Sequence, residues 1–272
     1  MIPHKIHYCW FGGKPLPELA EKCIESWKKF CPGYEIIRWD ETNFDFNESV
    51  YAKEAYEKGK YAYVSDLARF SILYRYGGIY LDTDVEIIRD PEEIVNRGPF
   101  FGCEKGLEGS KMVAPGLGMG AEPGMEIYAR ILEKYQGMHF LNERGEPDEQ
   151  TVVGHVTEIL KEHGFRGSGE IEEVAGVYIY PARYFCPLDY DTGELTITDD
   201  TYSIHHYMAS WQTGTQKKLL EINRKYILAG KYGSFGHKMA RFPYWVKNKL
   251  EEGGVGGLLS AFGKKLGKGK KA

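Results

Sequence analysis

Two aspartates one residue apart, Asp82 and Asp84, close the run Tyr76-Gly77-Gly78-Ile79-Tyr80-Leu81-Asp82-Thr83-Asp84. Ile79, Tyr80 and Leu81 are spaced for a short buried strand introduced by two glycines. In extended backbone alternate side chains share a face, so the two carboxylates point the same way with Thr83 opposite. Like charges held that close repel unless something positive lies between them. A hard divalent cation with oxygen ligands is the usual answer, and such ions also hold substrate phosphates. The first expectation is therefore a metal–nucleotide site. A bare Asp-x-Asp is a weak signal, and its surroundings decide its weight.

Directly upstream, Ser65 to Tyr76 reads as a helix. Ser65 is a natural N-cap, Asp66 suits the positive end of the dipole, and Gly77 is a stop. Leu67, Phe70 and Tyr74 make an apolar stripe, while Asp66 and Arg69 are neighbours on one flank. As an exposed ion pair they would contribute only about a few tenths of a kcal/mol. Facing a ligand, Arg69 would reach phosphate or sugar and Asp66 would accept a hydroxyl. Tyr80 shares the parity of Asp82 and reads either as a core aromatic or as a site residue. A late segment, Ser203-Ile204-His205-His206-Tyr207-Met208-Ala209-Ser210-Trp211, brings further ligand types. Adjacent strand residues face opposite ways, so regular geometry lets only one of His205 and His206 join the acids. Trp10, at a strand end before Gly12-Gly13, could be core or could stack a planar base. Asp148 and Glu149 read as solvated loop acids, with acceptor contact as the alternative.

These segments, with Ile2-Pro3-His4-Lys5-Ile6-His7-Tyr8-Cys9-Trp10-Phe11-Gly12-Gly13, resemble the family 32 type bacterial glycosyltransferases with an Asp-x-Asp sugar-binding region. Yeast initiating mannosyltransferases and, more distantly, the glucosylating domain of clostridial toxins are relatives of that family. The resemblance runs from residue 2 to about 90 and returns near 211, with four elements in the expected order. It implies an α/β fold of the GT-A type, a mixed and mostly parallel central sheet flanked by helices. It further implies a nucleotide-diphospho-sugar donor, Mn2+ or Mg2+, and a glycan or lipid-linked acceptor in capsular or other polysaccharide synthesis. By resemblance, Trp10 sits against the base, Arg69 positions the donor, and the late segment closes over the diphosphate and sugar. One residue of that segment completes the metal shell, with His205 and His206 both open. Ser210 would offer an oxygen to metal or phosphate, and Trp211 would cap the leaving diphosphate. Relatives retain the anomeric configuration, and no carboxylate nucleophile stands out, so a same-face displacement is expected.

Bulk properties narrow the alternatives. At 272 residues, 42% hydrophobic and 27% charged, the chain has the make-up of a soluble globular protein and fits one large α/β domain or one and a half small ones. Residues 1–252 carry 30 basic against 39 acidic residues, a balance of −9 that disfavours general nucleic-acid binding. The five cysteines show no Cys-x-x-Cys spacing, and the sequence enters a strand pattern without an apolar leader. Both features favour a cytoplasmic setting. The tail Gly253–Ala272 combines five lysines with Val255, Leu258, Leu259, Phe262 and Leu266, a composition suited to peripheral contact with an anionic inner leaflet.

Strands at Lys5–Trp10 and Tyr34–Trp39 and a helix at Glu18–Phe30 precede the Asp-x-Asp strand, the alternation of an α/β nucleotide-binding layer. Ligands of such sheets sit beyond the carboxyl ends of the strands, where Trp10, Asp40 and Asp82 fall. Further strands are expected at Phe100–Cys103, Val177–Tyr180 and Thr201–His206, with helices at Gly124–Tyr135, Thr151–His163 and Gln216–Ala229. Met112–Pro123 reads as a loop. The catalytic domain is expected to span 1–240, followed by a helical, basic segment over 241–272. Two other functions compete. Leu81-Asp82-Thr83-Asp84-Val85 partly matches phosphohydrolases whose first aspartate attacks phosphate, although there the motif normally ends the first strand of the domain. A non-catalytic membrane- or carbohydrate-binding protein is the third reading.

Overall fold

The structure, a computed structural model, describes residues 1–105, 111–143, 145, 151–208 and 212–268. The chain forms two compact units, one of residues 1–188 with 195–208 and one of residues 189–194 with 209–272. The first unit opens with β1 (Lys5–Cys9), α1 (Glu18–Phe30), β2 (Glu35–Trp39), α2 (Val50–Glu57), α3 (Tyr61–Tyr76) and β3 (Gly78–Tyr80). Next come β4 (Val85–Ile87), α4 (Glu92–Arg97), β5 (Phe100–Lys105), β6 (Lys111–Val113) and β7 (Met119–Ala121). It closes with α5 (Glu126–Gln136), α6 (Val152–Glu162), β8 (Glu172–Val174), β9 (Val177–Tyr180), α7 (Ala182–Phe185) and β10 (Ser203–His205).

The main sheet runs β2-β1-β3-β7-β5-β9-β8, with β6 attached to β5. β1 lies parallel to β2 and β3, β7 opposes β3 and β5, β9 is parallel to β5, and β8 opposes β9. Only β7 and β8 on that path therefore run against the rest. This is the mixed, mostly parallel α/β sheet that the sequence predicts. Alternation along its strands fills two cores. Tyr80, Phe101 and Ile179 face one core with residues of α2, α3, α5 and α6. Ile79, Leu81, Phe100 and Tyr180 face the other with residues of α1, α4 and α7. In α1, Ala20, Cys23, Ile24 and Trp27 are buried at helical spacing, and the Trp27 indole N–H donates to Val85 O at 2.7 Å. That bond ties the α1 layer to β4.

Several local expectations change in three dimensions. α3 begins at Tyr61 rather than Ser65, and the Ser65 hydroxyl bonds back to Tyr61 O at 3.1 Å instead of capping an end. A serine inside a helix satisfies its hydroxyl this way. Gly77 does stop α3, with φ 61° and its N–H on Leu73 O at 2.8 Å. The Met112–Pro123 stretch is not a free loop. It contributes to β6, forms β7, and holds a 3-10 turn at Pro115–Leu117 between them. These small residues pair because β7 must fit between β3 and β5, where Gly120 sits against the Phe100 ring.

The second unit contains α8 (Gly214–Leu228), opened by a Thr213–Gln216 capping box, and α9 (Phe235–Lys268). α9 leaves helical geometry at Gly253 and Gly254. The break between units thus precedes α8, whereas the sequence reading puts the boundary at 240/241, inside α9. The reason is packing, since α8 lies against α9. No helix among the described residues is long and apolar enough to cross a membrane.

Candidate metal and donor site

The parallel strands β2, β1 and β3 end side by side, which brings Asp40, Trp10 and the Asp82 turn to one edge. A buried histidine supports this edge from below. His7 accepts from the Trp39 indole at Nδ1 (3.1 Å), so its Nε2 donates to Gly77 O at 3.0 Å. Burial drives the His7 pKa down to about 4, which keeps it neutral. The sequence reading gave His7 no role of its own. Its position in β1, opposite Tyr80, fixes the start of the Asp-x-Asp segment.

β3 stops at Tyr80, and the two aspartates lie in the turn that follows, where Val85 N–H donates to Asp82 O at 3.0 Å. Their convergence therefore comes from a turn and not from strand alternation as first expected. Each carboxylate has its own frame. Arg69, 4% exposed, bridges Asp66 (3.1 Å) and Asp82 (3.2 Å) through Nη2, and its Nε donates to Ser65 O at 3.1 Å. The guanidinium lies 5.0 Å from the centre of the Tyr80 ring. Tyr80 is 1% exposed, so it supports Arg69 from beneath instead of offering a face to ligand. Burial pushes the Asp66 carboxyl up to about 6 against the pull of Arg69, and Asp82 adds to the rise. Asp82 is likewise raised by burial, with Arg69 opposing and Asp84 adding.

Asp84 is held differently. β10 pairs antiparallel with β4 and places His205 opposite Val85. His205 Nε2 lies 3.2 Å from one Asp84 oxygen, and Met208 N–H donates to the other at 2.8 Å. Tyr207 adopts φ 50°, an unfavourable value for a bulky residue, and this bend precedes the donating Met208 amide. Burial works to raise the Asp84 pKa, but His205 and the backbone donor hold it below the usual range. His206 points elsewhere, with Nε2 on Glu86 at 2.8 Å. Of the two histidines that sequence parity left open, His205 is the one facing the acids.

Asp82, Asp84 and His205 each bring a ligand atom to within 4.8 Å of the other two. The set suits a divalent cation on chemistry as well as distance. Two carboxylates and an imidazole converge, half-buried Glu104 adds charge, and the His205 pKa is raised. Burial alone would lower that pKa, but Asp84, Asp82 and Glu104 outweigh it. The group attracts positive charge. His205 Nδ1 is also buried with no hydrogen-bond partner, so the ring, packed edge-on against Tyr207, is hydrogen-bonded through Nε2 alone.

Gly116, in the 3-10 turn, went unrecognised in the sequence. Its carbonyl accepts from Asp82 N–H at 3.2 Å, and a Cβ there would stand 2.1 Å from Asp82 Oδ2. Only the absence of a side chain lets the loop backbone close on the carboxylate. The clue was the glycine run at 116–120, which by itself reads as loop. Trp10 follows β1 half-buried, its indole N–H donating to Lys14 O at 2.7 Å. Ser210, Trp211, Asp148 and Glu149 lie outside the described residues.

The profile of the family described as a glycosyltransferase sugar-binding region containing a DXD motif matches residues 17–101, the segment holding α3, Arg69 and both aspartates. That segment of the chain is similar to this glycosyltransferase family. An uncharacterised glycosyltransferase of Acanthamoeba polyphaga mimivirus is 27% identical over 241 residues, covering 84% of this chain and 91% of the relative. Inositol phosphoceramide mannosyltransferase 3 of Schizosaccharomyces pombe is 37% identical over 92 residues, covering 31% of this chain but only 24% of the yeast protein. Among solved structures, the PaToxG glycosyltransferase aligns at 18% identity with a TM-score of 0.43, over 59% of this chain and 69% of that one. The match of this segment and the glycosyltransferase relatives weigh against the phosphohydrolase and the non-catalytic readings. In this glycosyltransferase the Asp-x-Asp pair, Arg69 and Asp66 share one sheet edge, joined by His205 from the late strand.

Proposed function

We propose that this glycosyltransferase moves a hexosyl group from a nucleotide-diphospho-sugar to a glycan or lipid-linked acceptor, with retention, in polysaccharide synthesis. The observation that carries the reading is the convergence of Asp82, Asp84 and His205 beside Arg69 at the strand ends. Asp82, Asp84 and His205 would hold Mn2+ or Mg2+, which when bound supplies Lewis-acid neutralisation of the departing diphosphate. Arg69 fixes the Asp82 carboxylate and presents its charge to the donor, while Asp66 offers an acceptor to a sugar hydroxyl. Trp10 stacks the base, and Ser210 and Trp211 close over the diphosphate. The segment Gly253–Ala272 contacts an anionic inner leaflet, which would place the enzyme on the cytoplasmic face near lipid-linked acceptors.

The test is a panel of UDP- and GDP-sugars assayed for hydrolysis with and without Mn2+. One donor should be turned over only with the ion, and Asp82→Asn and Asp84→Asn should each abolish that turnover. Wild-type hydrolysis in the presence of EDTA would remove the metal from the reading. Free phosphate released in place of nucleoside diphosphate would remove the sugar donor.

A further inference from the structure

Residues 222–250 hold seven cations, Arg224, Lys225, Lys231, Lys238, Arg241, Lys247 and Lys249, and no Asp or Glu. The remainder of the chain carries 28 basic against 39 acidic residues (35 − 7 = 28), a balance of −11. This reversal of sign belongs to the second unit and precedes the lysine-rich tail. Large apolar side chains are exposed in the same stretch: Phe235 (79%), Leu228 (67%), Tyr232 (58%), Met239 (56%) and Phe242 (48%). Phe235, Met239 and Phe242 are spaced i, i+4, i+7 and so share one face of α9. Lys238 and Arg241 flank them, and both line a surface pocket with His237, Phe242 and Trp245. The turn that leads into this face is fixed. Gly233 N–H donates to His237 Nδ1 at 2.9 Å, and His237 Nε2 donates to Asn223 Oδ1 at 3.0 Å, tying the start of α9 to α8.

We propose that the α8–α9 turn and the first turns of α9 form the principal membrane-docking surface, with an anionic lipid bilayer as its occupant. Cations arrayed around protruding aromatic and aliphatic side chains match a bilayer interface. The lysine and arginine heads meet lipid phosphates, while Phe235, Met239 and Phe242 enter the acyl boundary. A nucleic acid would use the cations but gain nothing from burying Leu228 and Met239. The inference deepens the membrane contact proposed above by moving it upstream of Gly253, and it is independent of donor and cation.

The experiment is co-sedimentation of the full chain with phosphatidylglycerol/phosphatidylcholine vesicles and with phosphatidylcholine alone, followed by donor hydrolysis on the same samples. Wild type should bind only the anionic vesicles and lose binding as salt is raised. Phe235→Ser with Met239→Ser and Phe242→Ser, and separately Lys231→Glu with Lys238→Glu, should each raise the half-saturating lipid concentration about tenfold or more. Both sets lie on exposed positions and should leave donor hydrolysis unchanged, which separates failure of this surface from failure of the active site. Changing the five lysines of 264–271 to glutamine should have the smaller effect. Loss of binding in that tail variant alone, wild-type binding in the other two, or binding to single-stranded DNA but not to vesicles would each overturn the proposal.

Discussion

The half of the site built on α3 and the half built on β4 and β10 hold their carboxylates by opposite means. Around Asp82, one buried guanidinium serves two acids, and burial leaves both Asp66 and Asp82 with raised pKa values. Around Asp84, a histidine and a backbone amide take one oxygen each, and the pKa is lowered. The first arrangement is under electrostatic tension that added positive charge would relieve. The second is satisfied by the fold itself. The site thus has a fixed carboxylate and a responsive one, and the responsive one faces Arg69.

The sharpest way to break this contrast is Arg69→Met. It leaves two half-buried carboxylates without their shared buried cation and should cost up to about 3 kcal/mol of folding free energy. Urea denaturation would measure it, and a loss under about 1 kcal/mol would mean the triad is far better solvated than its burial suggests.

pH dependence separates the α3 half from its support. His7 is neutral in the fold with a pKa near 4, below its unfolded value of 6.5. The unfolded chain takes up that proton first, so His7 lowers stability by about 2 kcal/mol as pH falls from 7 to 5. Asp66 works the other way. Its folded pKa of about 6 lies above the unfolded 3.8, so protonation favours the fold by about 1 kcal/mol over the same range. Asp66→Asn should therefore steepen the loss at pH 5, whereas His7→Gln should reverse it into a gain. Parallel pH profiles for the two variants would show that neither group titrates as its surroundings require.

Gly116→Ala tests how closely the loop supports the responsive carboxylate. The added methyl meets Asp82 Oδ2 at 2.1 Å, so the carboxylate or the turn must move, at about 1–3 kcal/mol. Mn2+ affinity should fall with little change in the far-UV spectrum, and an unchanged titration would place the ion away from Asp82.

The smallest effect carries the clearest sign. In protein without added metal, Asp82→Asn should leave the Tm unchanged or raise it, because a destabilised charge is removed. Asp84→Asn should lower stability by about 1 kcal/mol, because it weakens bonds made to a favoured carboxylate. Equal shifts in the same direction would erase the distinction between the two halves.

Local chemistry could be read from contiguous residues. The Asp82–Asp84 pair and the Asp66–Arg69 ion pair were legible as neighbours because i, i+3 spacing and an acidic pair after a short apolar run are properties of contiguous residues, whereas a ligand-facing role for Asp66 and Arg69 rested on the family resemblance. The Gly77 stop and the helical stripes of α1 and α6 were legible for the same reason, since each reflects backbone periodicity over one or two turns. The loop at 112–123 was misread because its pairing partners, β3 and β5, lie elsewhere in the chain, and small residues carry no strand signal of their own. Tertiary structure alone decided between His205 and His206. Parity says that two neighbours on a strand diverge, but which one meets Asp84 depends on the register of β10 against β4, set more than a hundred residues away. It alone also placed Gly116 against Asp82, made Tyr80 a support under Arg69, and set His7 beneath Gly77. Those contacts join residues distant in sequence, and only closure of the sheet edge brings them within a few ångströms.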